Sequence, residues 1–159
     1  MTGHISLIPA ALLALGLAAP LCGVRAEEMP DKPLATIQGD IEGIHIDILS
    51  LKRGEGNMLT LRVAFVNESG APVKDAVFPG MDGSGWRVSL VDYQAKKKYG
   101  IIDFDDGTCL CTTKLIYNAD FEPGRKVLWA KFRAPPESVQ KITLLAGNGE
   151  PVEGLPITR

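Results

Sequence analysis

The chain has 159 residues, with 17 basic and 19 acidic side chains, a formal net charge of −2, three cysteines and two histidines. With no basic excess, the overall charge offers nothing to draw nucleic acid or an anionic membrane surface. A hydrophobic share of 45% excludes a disordered polyelectrolyte and suits one domain whose core holds without several disulfides.

The amino end differs from everything after it. Ile5 to Ala19 is an uncharged, apolar run interrupted only by Ser6, followed by Pro20, by "LCGVRA" and by the acidic pair Glu27-Glu28. An apolar stretch ahead of small residues is the layout of a cleaved secretory signal, and Val24 and Ala26 place the cut after Ala26. The run is shorter than the roughly 20 apolar residues of a membrane span. Leu21 is too large to precede a lipid-anchored Cys22. One departure is that the amine and His4 stand where such signals usually carry Lys or Arg. The expected product is Glu27 to Arg159, periplasmic or extracellular, with no integral span. Cys22 leaves with the signal, and loss of Arg25 leaves 16 basic against 19 acidic side chains.

Residues 27–42 read as a flexible leader, because "EEMPDKPLAT" is charged and broken by proline. From residue 43 to 159 the periodicity is mostly two. Ile44, Ile46 and Ile48 alternate with His45 and Asp47, and Leu59, Leu61, Val63 and Phe65 alternate with Thr60, Arg62 and Ala64. Trp86, Val88 and Leu90 form a third such row, and the lysine-rich turn "QAKKK" pairs the Trp86–Tyr93 segment with a strand over Tyr99 to Phe104. Val127 to Phe132 and Val139 to Leu145 follow, separated by "APPES", whose prolines cannot donate to a ladder. The closing "LPI" adds an edge strand. Half-buried strands of this kind, seven or eight in number and separated by turn signals, predict an antiparallel β-sandwich of immunoglobulin type. A jelly roll or small barrel is the alternative.

The stretches "DGTCLC", "FEPGRKVLWAKFRAPPESVQKITL" and the terminal "LPI" resemble a group of bacterial secreted immunoglobulin-like domains of unknown function. The likeness spans about Gly43 to Ile157 in outline. It implies the sandwich fold and an exported location, and it carries over no catalytic residue.

Chemistry-bearing residues are few. His45, the one histidine of the expected product, shares a strand face with Asp47, but no GxSxG turn presents a serine to it, so it reads as a surface-facing strand residue and not as a general base. Asp103, Asp105 and Asp106 in "DFDDG" are candidate calcium ligands. The third carboxylate comes one residue early for an EF-hand loop, and no glutamate follows at the twelfth position, which favours a solvated turn. "GMDGSG", Gly80 to Gly85, precedes a strand, so no helix amino terminus would meet a phosphate there. It reads as a long loop. Lys96, Lys97 and Lys98 read as a solvated tip that discourages edge pairing. Trp129 reads as core, and Trp86 is left open.

The remaining question is the Cys109-x-Cys111 pair. An oxidising compartment favours a local disulfide. In an extended strand residues i and i+2 lie roughly 6.5–7 Å apart at Cα, the upper limit for a bridge, so a turn is required. Free or intermolecularly paired thiols, and copper(I) held by both thiolates, are the alternatives. The sequence therefore predicts an exported, non-catalytic binding or structural module of the cell envelope. An envelope protein or glycan is its expected partner, and no cofactor is expected. The rival reading is a periplasmic thiol-redox or copper-handling protein.

Overall fold

Alternation sets the two faces of every long strand. The computed structural model describes residues 32–74, 81–82, 85–112, 120–147 and 149–159. The expected signal and its cleavage site lie outside these residues. Ten strands are present among the described residues: β1 (Ala35–Gln38), β2 (Ile44–Gly54), β3 (Met58–Asn67), β4 (Met81–Asp82), β5 (Gly85–Trp86), β6 (Val88–Asp92), β7 (Lys97–Tyr99), β8 (Gly124–Arg133), β9 (Lys141–Ala146) and β10 (Val152–Pro156). Eight of them build two antiparallel four-stranded sheets, ordered β1-β2-β3-β8 and β10-β9-β6-β7, while β4 and β5 form a short separate ribbon.

The predicted all-β antiparallel sandwich is the observed architecture. Ile44, Ile46, Ile48, Leu61, Phe65 and Phe132 of the first sheet share one buried cluster with Leu90, Ile142, Leu144 and Leu155 of the second. Each fully buried aliphatic or aromatic side chain contributes about 1.5–3 kcal/mol, so this shared layer is the main source of stability. No helix among the described residues is long and apolar enough to cross a membrane.

The sheets are stitched together at both lateral edges. On one side the chain leaves β10 and reaches β2, where Arg53 N–H donates to Thr158 O (2.8 Å) and Thr158 N–H donates to Leu51 O (3.0 Å). On the other side it leaves β7 at Tyr99, and Ile101 bridges to Phe132 of β8. The pairing predicted for Tyr99 to Phe104 is corrected accordingly. Only Lys97–Tyr99 pairs with β6, and the chain beyond Gly100 crosses to the other sheet. Lys97 and Lys98 lie on the edge strand β7, with only Lys96 in the turn. There they add charge to an open edge.

Two further boundaries differ from expectation. The domain begins before residue 43, because Ala35–Gln38 pair in register with Ile48, Asp47, Ile46 and His45. Ala35 and Ile37 are half-buried while Thr36 and Gln38 are exposed, a pattern too short to stand out beside the polar residues around it. Within "GMDGSG", Met81 and Asp82 pair with Trp86 and Gly85, so part of the expected loop is a ribbon. Gly80, Gly83 and Ser84 lie outside the described residues.

Asn67 anchors the end of β3. Its Nδ2 donates to Phe121 O (2.6 Å) and Ala71 O (2.9 Å), while its Oδ1 accepts from Ser69 Oγ (2.6 Å) and Ser69 N–H (3.0 Å). Close by, Gly43 has φ +79°, and an added Cβ would lie 2.8 Å from Ser69 N. That backbone approach admits only glycine.

Candidate functional site

The Cys-x-Cys segment is the return arm of a hairpin. Gly107 N–H donates to Phe104 O (2.9 Å), Phe104 N–H donates to Thr108 O (2.7 Å), and Asp103 bridges to Cys109. Gly107 closes the turn at φ +80°, in the left-handed region that glycine enters without a Cβ clash. Thr108 donates to Asp106 Oδ1 from its hydroxyl (2.6 Å) and its N–H (2.9 Å). The hydroxyl bond chiefly, and the amide bond after it, hold the Asp106 carboxyl below its ordinary value. A depressed carboxyl contributes above its unfolded value and loses that contribution as pH falls through the folded one. The Thr108 amide resonance should therefore titrate with a midpoint below the usual aspartate range. A midpoint at or above it would contradict the turn.

Asp103, Asp105 and Asp106 are all exposed on this hairpin. Among the described residues no group of three or more His, Cys, Asp or Glu side chains is placed to hold a metal ion.

Cys109 and Cys111 lie at disulfide distance, with Cα atoms 5.2 Å apart. The chain bends at Leu110, which supplies the shortening that an extended strand lacks. Cys111 is buried in the shared core, and Cys109 packs against it. The same segment covers the outer edge of β8. Cys111 bridges to Ala130, Thr112 N–H donates to Trp129 O (2.8 Å), and Lys131 N–H donates to Leu110 O (3.0 Å). Thr112 also accepts Trp129 N–H on its Oγ1 (3.1 Å) and the indole N–H of Trp86 on its backbone oxygen (3.1 Å). Trp86 is thereby half-buried against the core.

Trp129 corrects the sequence reading. It was expected in the core and is 37% exposed. Leu128, Ala130 and Phe132 face inward, so alternation turns Trp129 to the outer face of the first sheet. Register then fixes its neighbours. Ser50, Arg62 and Trp129 form one row across β2, β3 and β8; Lys52, Thr60 and Lys131 form the next. Arg133 ends the face opposite Met58, and Arg125 lies at the far end opposite Val66. A bulge between Ile48 and Ser50 puts Leu49 and Ser50 side by side on this face. Among the described strand residues, five cations thus share one sheet face with Trp129 and a single carboxylate, Asp47, in a chain of net charge −2.

Asp47 is committed locally. It accepts from Thr36 Oγ1 (2.8 Å), lies 3.4 Å from an Arg125 guanidinium nitrogen and 3.8 Å from His45 Nε2. His45 and Asp47 do share a face, as the spacing predicts, and the His45 side chain is 16% exposed. Leu49, Ala64, Val66 and Val127 form a small apolar cluster between this polar end and the Trp129 end.

The basic face was missed because its cations are scattered over β2, β3 and β8, and total charge conceals them. The parity that puts Arg125, Trp129 and Lys131 on one side of a strand was the available signal. Because the ring is outside the core, Trp129→Ala should cost about 1 kcal/mol or less in chemical denaturation. A loss typical of a core aromatic, about 3–5 kcal/mol, would return the ring to the interior. No family model, curated protein or solved structure matches the chain.

Proposed function

We propose that this chain is an exported, non-catalytic binding module of the bacterial cell envelope, with the outer face of its first sheet as the binding surface. The observation that carries the proposal is Trp129. A large aromatic ring stands outside the core, among cations, on strands held rigidly from both sides. Exposed aromatics on rigid elements lose little conformational entropy on binding and are common anchors of recognition surfaces. The export signal read at residues 1–26, and the resemblance to secreted sandwich domains, support the location.

In this proposal Cys109 and Cys111 form a local disulfide after export. A ring closed across one residue stabilises little by chain entropy. Its role is to fix the bend at Leu110, so that residues 110–112 stay paired with Trp129 and Lys131. Non-reduced peptide mapping should give one peptide containing both cysteines, about two mass units below its reduced form, since bridging removes two hydrogens. The double Cys→Ser variant should still fold. Stoichiometric copper on the native protein, lost in that variant, would instead favour the copper-handling reading.

The binding face is tested by placing a photo-cross-linking residue at position 129 of the full chain expressed in cells. The control site is Tyr93, which is 59% exposed in the β6–β7 turn. Adducts with envelope material from position 129 and not from 93 support the face. Equal labelling from both sites, or none from 129, would sink it.

A further inference from the structure

The basic face also indicates what it binds, an inference that rests on the proposed binding role of that face. We infer that its ligand is an anionic glycan, a sugar polymer bearing carboxylate or phosphate groups, laid across β2, β3 and β8 with one sugar ring against Trp129.

Charge comes first. Lys52, Arg62, Lys131 and Arg133 flank Trp129 across three adjacent strands, and Arg125 sits beyond it. Among the described residues Lys131 and Arg133 have no carboxylate partner, whereas Arg125 is partly satisfied by Asp47. Neighbouring strands lie roughly 4.8 Å apart and same-face residues roughly 6.8 Å apart along a strand, so the cations form a shallow grid. A grid of fixed cations on a flat sheet matches an extended polyanion better than a single small anion, which needs a concave cradle.

The ring narrows the class. Trp129 offers a flat apolar surface whose electron-rich face attracts the polarised C–H groups of a sugar, and its neighbour in the row is a cation. An anionic membrane surface fits less well. Interfacial binding needs several apolar side chains reaching past the cations, and among the described residues of β2, β3 and β8 Trp129 is the one exposed large hydrophobic side chain.

The experiment uses the mature protein and four probes at low ionic strength: polygalacturonate as the anionic glycan, neutral dextran, polyglutamate, and phosphatidylglycerol vesicles. Polygalacturonate should bind, with affinity falling steeply as salt is added. Lys131→Glu/Arg133→Glu should weaken binding at least tenfold, and Trp129→Ala several-fold, with the fold unchanged by circular dichroism. Dextran should not bind, and polyglutamate should bind several-fold more weakly than polygalacturonate. Equal binding of polyglutamate, preference for the vesicles, or indifference to both variants would overturn the inference. If polygalacturonate fails while position 129 still cross-links in cells, the ligand class is wrong and the face stands. If both fail, the face falls too.

Discussion

Asn67→Ala is expected to destabilise the domain by about 2–4 kcal/mol, an effect comparable to deleting a core side chain. Asn67 is almost wholly buried, at 2% exposure, and uses both ends of its amide. Two donor bonds hold the carbonyls of Ala71 and Phe121, and two acceptor bonds hold Ser69. Truncation leaves those carbonyls with an unfilled space between them. It also loosens the Val73–Phe121 bridge, in which each residue's N–H donates to the other's carbonyl. Asn67→Asp should be no milder, since a carboxylate would face two carbonyl oxygens with no proton to offer them. Equilibrium urea denaturation measures both variants, and a cost below about 0.5 kcal/mol would mean that the network is not formed in solution.

Phe132→Ala is expected to cost about 3–5 kcal/mol. Its ring is fully buried, and its backbone pairs with Leu59 on one side and with Ile101 on the other. The residue thus sits where β8 meets the strand crossing from the second sheet. Deleting the ring opens a cavity under that crossing. The contrast with Trp129, three residues earlier on the same strand, is the sharpest test of side-chain parity. One variant should melt far below the parent and the other close to it. Similar losses at both positions would mean that β8 is shifted by one residue, which moves every side chain to the opposite face.

Much of the sandwich was legible because alternation survives wherever one strand face is buried. The rows Ile44-Ile46-Ile48 and Leu59-Leu61-Val63-Phe65 sit as read. The strand β1 was not legible, because a four-residue edge strand carries little pattern of its own. Both crossings between sheets escaped notice because they depend on partners far along the chain, Thr158 with Leu51 and Ile101 with Phe132. A turn ahead of Cys109 was legible in "DFDDG", and the structure closes it at Gly107; the bend that brings Cys109 to Cys111 lies between them at Leu110, which the sequence did not single out. Trp129 was misassigned because "VLWAKF" is apolar enough to pass for a strand buried on both faces. Its same-side neighbours Val127 and Lys131 argue for the outer face. The basic surface requires the register of three strands, which no single stretch of sequence contains.

The claim at the centre is that Trp129 lies outside the core in a cationic surrounding, and fluorescence quenching tests it directly. The chain has two tryptophans, so Trp86→Phe leaves Trp129 as the only indole emitter. Fixed cations concentrate an anionic quencher and repel a cationic one at low ionic strength. Iodide should therefore quench Trp129 several-fold more efficiently than caesium, and the difference should shrink as inert salt is added. Negligible quenching by either ion would put the ring in the core, and stronger quenching by caesium would contradict the basic face.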